Sequence, residues 1–370
     1  MQIERIETTR VNVPFEAPIL WSQGYRGSTT RTLIKVYTDE GIVGIGETRG
    51  DDGIEESIQQ MAAKLKGEDP FNIENILERF HMKAYFQGYF GLAAVAGIEI
   101  ALWDIIAKKA DRPLCDMIGG RYRDEVPFSG YIFFRLKDEK TGKGGAHDPQ
   151  HEIKVLRAIR EHFGPKFKLR IDPNGCWRPQ TAIAIAKELD EIGLEYLEDP
   201  CWGIEGMARL RKDIHTPLAT NMCVVDFDSL PVGIRENAVD IILADPHKWG
   251  GIWATKKLAA VCDTFRLGMS MHAGAELGVS TAVNIQLAAS TPQITYSIDG
   301  HYHHELDDII KGGKHQYRKG MMKVPDAPGI GVELDEEKVA FYHDRFLHLK
   351  EAALNGERPD TNRHLSRGQF

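Results

Sequence analysis

KFKLRIDPNGCWRPQTAIAIAKELDEIGLEYLEDPCWGIEG, residues 166–206, is the stretch that decides the predicted fold. It predicts a strand, a turn, a helix near residues 180–192 with its apolar residues on one face, and a second strand. Asp172 ends the first strand and Glu198 the second, and turn-forming residues follow each acid. We therefore expect two carboxylates at the C-terminal ends of adjacent parallel strands, where the loops of a β/α barrel converge.

A third polar side chain follows the next predicted strand. Asn221 ends a short strand in LATNMCV, so Asp172, Glu198 and Asn221 come from three successive strand ends. Two carboxylates and an amide oxygen are hard oxygen ligands, which suit Mg²⁺. A single strand-end aspartate is a helix cap or a turn residue about as often as it is a metal ligand. Three in matching positions favour a Mg²⁺ site.

Composition limits the class of protein. At 370 residues the chain is too long for one small domain, and 42% hydrophobic and 27% charged residues are ordinary for a soluble protein. The net charge of -8 argues against nucleic acid as a partner. No apolar run approaches the ~18 residues of a membrane span, and the N-terminus is not a signal peptide. Five scattered cysteines indicate a reduced, cytoplasmic protein.

Residues 1–122 are predicted to form an α+β domain. Residues 1–50 form a meander of two or three strands that turns near Gly41, and three helical patterns follow between Gly53 and Ala110. The last of these helices is apolar nearly all round and should be buried. The stretch 15–28 is interpreted as a loop, either an exposed connector or a lid over a substrate.

From Val126 onward the chain alternates strands and helices. Strands are predicted near residues 126–134, 167–172, 195–198, 217–221, 240–243, 267–271 and 294–298. The last six start 22 to 28 residues apart, one βα unit, which favours an α/β barrel over a doubly wound sheet. The interval between the strands near 126–134 and 167–172 is too long for one βα unit and too short for two. We therefore predict a modified (β/α)7β TIM barrel over residues 123–325, with one unit short or missing, and a segment 326–370 that returns to the first domain.

The later strand ends carry a candidate base. Asp245 ends a strand in LADPHKW, His272 ends the next in SMHAG, and Asp299 ends the last, close to His301. A histidine facing an aspartate from a neighbouring strand end forms a general-base dyad, because the aspartate fixes the tautomer and raises the basicity of the imidazole. His247 and Lys248 could equally be structural. The histidines at 301, 303 and 304 could hold a second metal, although a solvated loop is favoured.

Together these motifs resemble the enolase superfamily, of the mandelate racemase type, and most closely its glucarate dehydratase-like acid-sugar dehydratases. The resemblance covers nearly the whole chain, and its motifs are GIVGIGE, LRIDPNG, YLEDPC, LATNM, LADPHKW and SMHAG. It implies a capping domain over the barrel. It also implies the roles of six residues: Mg²⁺ ligands Asp172, Glu198 and Asn221, base dyad His272 and Asp245, and Asp299 against the substrate or enolate. Most members have an acid as the third ligand, so Asn221 is the most discriminating position.

One part of the family pattern is missing. The family carries Lys-x-Lys on its second barrel strand, and the second lysine is a base on the other face of the substrate. Lys143 in TGKGG lies near the right place, but the residues before it do not give that spacing. Lys166 and Lys168 have the spacing but precede Asp172 on its own strand. Either one βα unit is absent or the second strand is divergent, and Lys143 is the candidate second base.

The resemblance implies a lyase that dehydrates an acid sugar, a glucarate- or galactarate-like aldarate, with Mg²⁺. His272 would remove the α-proton, and loss of the β-hydroxyl from the enediolate would give a keto-deoxy acid. Candidate substrate-binding residues are Trp21, Tyr25, Arg26, Arg49, Asn174 and His301. A racemase or epimerase, which needs a base on each face, and a catalytically impaired binding paralogue remain alternatives. The expected partners are a small-molecule acid sugar and further copies of the chain, with no nucleic acid and no membrane.

Overall fold

The computed structural model describes residues 1–22, 24–133, 148–354 and 362–364. The N-terminal part is an antiparallel sheet followed by helices. Its elements are β1 (Ile3–Trp21), β2 (Gly24–Thr38), β3 (Val43–Arg49), α1 (Asp52–Leu65), α2 (Ile73–Gln87), α3 (Tyr89–Lys109) and α4 (Leu114–Met117). Strand β2 lies between β1 and β3 and is antiparallel to both. The predicted meander and its three helices are present.

The stretch predicted as a loop, residues 15–28, is instead the far end of the β1–β2 hairpin. Ile19 pairs with Arg26 and Trp21 pairs with Gly24, after a register shift beyond Pro14. Proline is tolerated in a strand at such an irregularity. The turn-forming residues of this stretch predicted a loop, but they do not exclude a strand. Phe15 and Ile19 are buried against Ala275, which lies beyond the last residues of the His272 strand. The hairpin therefore reaches the barrel.

Helix α3 is buried, as its sequence predicted. By length and composition it could cross a membrane, so the prediction that no run approaches a span is wrong here, but most of the helix is enclosed by the protein. Strand β3 packs on it through the glycines of GIVGIGE. A Cβ added at Gly44 or Gly46 would lie 2.1 Å from a carbonyl oxygen of α3. Glycine is needed at both positions because the strand and helix backbones touch.

The second part is a β/α barrel. Its strands are β4 (Glu125–Gly130), β5 (Arg170–Ile171), β6 (Tyr196–Glu198), β7 (Leu218–Thr220), β8 (Ile241–Ala244), β9 (Gly268–Met271) and β10 (Ile298–Gly300). The helices that connect them are α5 (Pro149–Phe163), α6 (Pro179–Ile192), α7 (Gly203–Leu210), α8 (Leu230–Arg235), α9 (Pro246–Trp249), α10 (Ile252–Phe265) and α11 (Gly278–Ala289). Strands β5 to β9 pair in parallel in chain order, and β10 pairs in parallel with β4. The last strand therefore closes on the first.

Each of the seven predicted strands corresponds to an observed strand, although most of the observed ones are shorter and the last begins at Ile298 rather than near 294. Within the described residues, no strand lies between Gly130 and Arg170. Residues 134–147 are outside the described part of the chain. The seven-strand modification of the barrel therefore stays a prediction.

The C-terminal segment contacts the barrel first and then the first domain. Strand β11 (Met321–Lys323) is antiparallel to β4, helix α12 (Glu336–Leu354) follows, and β12 (Asn362–His364) pairs with the start of β2. On α12, His343 Nδ1 lies 2.7 Å from the carbonyl oxygen of Arg10, and Arg345 donates to Asn12 Oδ1 at 3.0 Å. These contacts attach the helix to β1.

A buried glutamate joins α3 to the barrel. Glu99 has no exposed surface, and its carboxylate accepts hydrogen bonds at 2.8 Å from the backbone N–H groups of Ile252 and Trp253. These are the first two N–H groups of α10, which have no partner within the helix. Trp103 Nε1 donates to the same carboxylate at 2.8 Å. A side chain of the N-terminal part therefore caps a barrel helix.

We expect Glu99 to make stability depend on pH. Burial raises the pKa of Glu99 to about 7, although the three N–H donors act to lower it. Because an unfolded glutamate titrates near 4.3, the folded protein keeps a proton between about pH 4.3 and 7 that the unfolded chain releases. Stability from this group is therefore lost as pH rises through that window, by on the order of 3 kcal/mol.

Glu99→Gln removes the titrating group and tests this expectation. The amide NH₂ would face a backbone N–H of α10, so that two donors meet. We therefore expect a lower free energy of unfolding at pH 5, but a smaller decrease of it between pH 5 and 8. The measurement is urea unfolding of both proteins across that range. Equal pH dependence of the two free energies of unfolding would contradict the expectation.

Candidate active site

Acidic side chains meet at the C-terminal ends of β5, β6 and β7. Asp172 follows β5, Glu198 ends β6 and Asn221 follows β7. Glu198 is 2% exposed and Asn221 4% exposed, and the Asn221 amide nitrogen donates to Glu198 Oε1 at 2.5 Å. The parallel register between these strands brings their ends to one rim of the barrel. The structure thus brings together the three residues predicted from the strand ends.

The acids repel one another. Burial raises the pKa of Asp172 well above its usual range, and the charges of Asp199 and Asp299 raise it further. Burial likewise raises the pKa of Glu198, with further contributions from Asp172 and Asp299. Buried carboxylates of like charge either keep a proton or have a compensating cation. This donor set, rich in hard oxygen atoms, fits Mg²⁺.

Asp172 is held in place by Asn174. The backbone N–H of Asn174 donates to Asp172 Oδ1 at 2.7 Å, and its side-chain amide donates to Oδ2. The amide oxygen of Asn174 accepts from Ser22 Oγ at 2.8 Å, which connects this turn to the β1–β2 hairpin. The contacts of Asn174 orient Asp172, and its predicted role in binding substrate stays a prediction. Its φ of 50° is a left-handed conformation that asparagine tolerates.

Lys248 sets the orientation of the Asn221 amide. Its ammonium donates to Asn221 Oδ1 at 2.7 Å and to the Asn221 carbonyl at 2.8 Å. The amide oxygen therefore faces Lys248, and the amide nitrogen faces Glu198. The sequence predicted that this oxygen is a metal ligand together with the carboxylates of Asp172 and Glu198. The amide would have to turn to bind a metal in that way. The strand pattern identified the residue but not its lysine partner.

The predicted dyad is formed. His272 Nδ1 lies 3.0 Å from Asp245 Oδ2, and the side chain of His272 is 16% exposed. Burial acts to raise the pKa of Asp245, but hydrogen bonds from His247 and His272 outweigh it and hold that pKa well below its usual range. An ionised carboxylate at Nδ1 requires a proton there, so the lone pair of His272 is on Nε2. This nitrogen can accept a proton from a substrate.

Asp299 and His301 line the same mouth. Asp299 Oδ2 accepts from Tyr131 Oη at 3.1 Å, and burial raises the pKa of Asp299, opposed by nearby His272. His301 begins a 3-10 helix (His301–His304) and its ring packs against Tyr131 and Phe133. Burial lowers the pKa of His301 well below its usual range. The interpretation of residues 301–304 as a solvated loop is wrong, because none of these histidines is exposed.

The arginines of the N-terminal part lie in different places. Arg26 donates to the Gly274 carbonyl at 3.4 Å, two residues beyond His272, and to Thr29 Oγ1 at 3.1 Å. Burial lowers the pKa of Arg26 to about 10, with the Glu305 charge opposing it. Arg49 instead donates to Asp51 at 3.1 Å and lies over the Tyr89 ring. Arg26 thus contacts the loop that follows His272, whereas Arg49 contacts Asp51 and Tyr89.

Three further predicted site residues contribute no described contact to the candidate active site. Trp21 is half-buried at the end of β1, and Tyr25 is on β2, where it pairs with Leu20. Lys143 lies outside the described residues, so its proposed role as a second base stays a prediction. The strand ends therefore supply the described chemistry.

A second group of metal-capable side chains lies near the dyad. One ligand atom each from Asp245, His247 and Glu276 lie within 4.8 Å of one another, and all three residues are buried. Both carboxylate oxygens of Glu276 accept from the Gly274 N–H at 2.7 Å. Both ring nitrogens of His247 also have protein neighbours, at 3.0 and 3.1 Å. These hydrogen bonds account for the group without a metal.

Three residues of this region are not predicted by the sequence patterns. Asp199 accepts hydrogen bonds from Thr220 Oγ1 at 2.6 Å and from the Asn221 N–H at 2.7 Å, which fixes the end of β7. Tyr131 binds Asp299, and Glu47 anchors the barrel from β3. The paired acids in LEDP and the terminal acid of GIVGIGE were the available signals. Neither signal identifies a partner more than 20 residues away.

Comparisons with known proteins agree with this architecture. Residues 5–119 match the family model described as the mandelate racemase / muconate lactonizing enzyme N-terminal domain, and residues 129–338 match the enolase C-terminal domain-like model. A probable glucarate dehydratase of Streptomyces coelicolor is 33% identical over 90% of this chain and 89% of its own length. An N-succinyl-L-Arg/Lys racemase of Bacillus cereus is 26% identical over 91% and 96%. Relatives thus include enzymes of different reactions.

Solved structures show the same fold. An enolase of Pseudomonas fluorescens with bound magnesium, potassium and tartrate is 34% identical, with a TM-score of 0.86 over 94% of this chain and 93% of that one. An enolase of Thermobispora bispora complexed with magnesium and formate is 33% identical, with a TM-score of 0.85 over 94% and 93%. The chain belongs to the enolase superfamily, as an enzyme with the mandelate racemase type of N-terminal domain over a TIM-barrel-like domain.

Proposed function

We propose that the chain is a cytoplasmic, Mg²⁺-dependent hydro-lyase that dehydrates an acid sugar, with an aldarate such as glucarate or galactarate as substrate. The observation that carries the proposal is the position of His272. Its Nδ1 is held by Asp245, and it lies at the same barrel mouth as the acids Asp172, Glu198 and Asp299. Dehydratases of xylonate and of talarate or galactarate are also among the relatives.

Asp172, Glu198 and Asn221 would hold the metal, with the amide oxygen of Asn221 turned away from Lys248. When bound, Mg²⁺ supplies Lewis-acid stabilisation of negative charge on the substrate carboxylate. His272 Nε2 takes the α-proton and becomes an imidazolium that Asp245 stabilises. The electron pair left on the substrate expels the β-hydroxyl, which takes the proton of the His272 imidazolium and leaves as water, and the resulting enol tautomerises to a 2-keto-3-deoxy acid. Asp299 contacts the substrate beside His272.

The second candidate is a racemase or epimerase, which the racemase relative supports. That reaction needs a base on each face of the α-carbon. Its second base would be Lys143, which lies outside the described residues; the described residues supply one base, His272. We also propose that the barrel is a (β/α)7β variant and that the chain forms a homo-oligomer. A binding paralogue without turnover is the third outcome of the test.

The test is a screen of aldarates and aldonates with Mg²⁺ at neutral pH. We expect a 2-keto acid, detected as its semicarbazone, from one or a few stereoisomers of an aldarate. Proton NMR of the same reactions in D₂O reports α-proton exchange and epimers. Stereochemical scrambling without a keto acid would support racemisation. Saturable binding without turnover or exchange would overturn both catalytic proposals.

A further inference from the structure

Two histidines share the Asp245 carboxylate. Oδ2 lies 3.0 Å from His272 Nδ1, whereas Oδ1 lies 3.1 Å from His247 Nδ1 and accepts the His247 backbone N–H at 2.9 Å. His247 is 2% exposed and stands on α9, directly after β8. The two carboxylate oxygens are thus divided between one histidine that faces the mouth and one that is enclosed. The plane of the carboxylate is fixed from both sides.

The other nitrogen of His247 reaches the N-terminal domain. His247 Nε2 lies 3.0 Å from the carbonyl oxygen of Glu47 on β3 and 3.3 Å from Ser280 Oγ on α11. A carbonyl oxygen only accepts hydrogen bonds, so Nε2 donates to Glu47 when it carries a proton. The imidazole of His247 therefore spans the distance from a capping-domain backbone group to Asp245.

Glu47 is itself rigidly held. It has no exposed surface, and its carboxylate accepts from Arg31 Nε at 2.7 Å and from the Leu277 and Ser280 N–H groups at 2.8 and 2.9 Å. The last two contacts lie at the start of α11, the helix that follows the His272 loop. The Glu47 carbonyl therefore has a defined position relative to the barrel, and so does the histidine bonded to it.

We propose that His247, whose other nitrogen lies against the Glu47 carbonyl of the capping domain, is a positioning residue for the base. It holds Asp245 Oδ1, so that Oδ2 is presented to His272 Nδ1 and the proton-accepting nitrogen of His272 faces the substrate. Without this contact, a buried carboxylate has lost one partner and can rotate, and His272 can take the other tautomer. The inference rests on the proposed function only in treating His272 as the base.

Three substitutions separate the two ends of the ring. His247→Asn places an amide N–H near the position of Nδ1 and keeps the contact with Asp245. His247→Gln places one near Nε2 and keeps the contact with Glu47, and His247→Phe keeps neither. We expect kcat to fall less than about tenfold for asparagine but about 10- to 100-fold for glutamine and phenylalanine, with KM within about threefold throughout.

A matched control is His315→Phe. His315 Nε2 lies 3.0 Å from the Gly278 carbonyl on α11, so the substitution removes a partly buried histidine next to that helix without touching Asp245. Its kcat should stay within about threefold of the wild type. Equal kcat losses in all three His247 variants and in the control would show that general packing is responsible, and would overturn the proposal.

A second measurement does not depend on turnover. Long-range ¹⁵N–¹H NMR reports the tautomer of His272, whose signals are identified by their loss in His272→Asn. We expect the Nδ1-protonated tautomer in the wild type and in His247→Asn, and a mixture of tautomers in His247→Phe. An unchanged tautomer in a folded His247→Phe protein would overturn the proposal. If no acid sugar is turned over, the proposed function fails while this result still decides the role of His247.

Discussion

Replacement of Asp172 by alanine should abolish turnover and weaken Mg²⁺ binding by at least tenfold. Asp172 is one of two carboxylates among three proposed protein ligands, and a hard cation of this size relies on few protein oxygen atoms. Its position is also preset, because Asn174 donates to both of its oxygens. The loss should therefore appear in the binding of the metal itself as well as in the rate.

Isothermal titration with Mg²⁺ measures the first effect, and the keto-acid assay measures the second. Asp228→Ala is the matched control, because Asp228 is an exposed acid shortly after Asn221 and should leave both quantities unchanged. Unaltered Mg²⁺ affinity in a folded Asp172→Ala protein would remove Asp172 from the proposed metal site.

Replacement of His272 by asparagine should lower kcat by several orders of magnitude while the protein stays folded. Asparagine can still donate to Asp245 but cannot take a proton, and general-base catalysis contributes ~10²–10⁴-fold or more where nothing replaces it. Mg²⁺ affinity should be unchanged, because His272 contacts Asp245 and not the proposed ligands.

Two measurements check this second expectation. The keto-acid assay gives kcat, and α-proton exchange in D₂O reports proton abstraction even where elimination is slow. Both should fall together in His272→Asn. A variant that dehydrates or exchanges at a rate close to that of the wild type would show that another group removes the α-proton.

The sequence predicted the elements that local patterns specify. Asp172, Glu198 and Asn221 were found because each follows a strand in a regular βα repeat, and the repeat itself places their ends on one rim. The burial of α3 followed from its uniformly apolar surface. These inferences need only neighbours in the chain and the geometry of parallel strands.

Contacts between distant residues were not predictable in this way. The hairpin end at residues 15–28 contains turn-forming residues, but pairing with β2 and burial against Ala275 override local preference. The orientation of the Asn221 amide depends on Lys248, and the second partner of Asp245 depends on the Glu47 carbonyl. Such contacts exist only after distant parts of the chain have packed together.

The two acids that cap barrel helices have a consequence for how such proteins can be recombined. Glu99 satisfies the first amides of α10, and Glu47 satisfies amides at the start of α11, yet both acids belong to the N-terminal domain. A barrel expressed alone would expose these amides and the apolar surface around them. A chimera that exchanges N-terminal domains between relatives must therefore carry each acid together with a helix that accepts it. At these contacts the two domains can be exchanged only together.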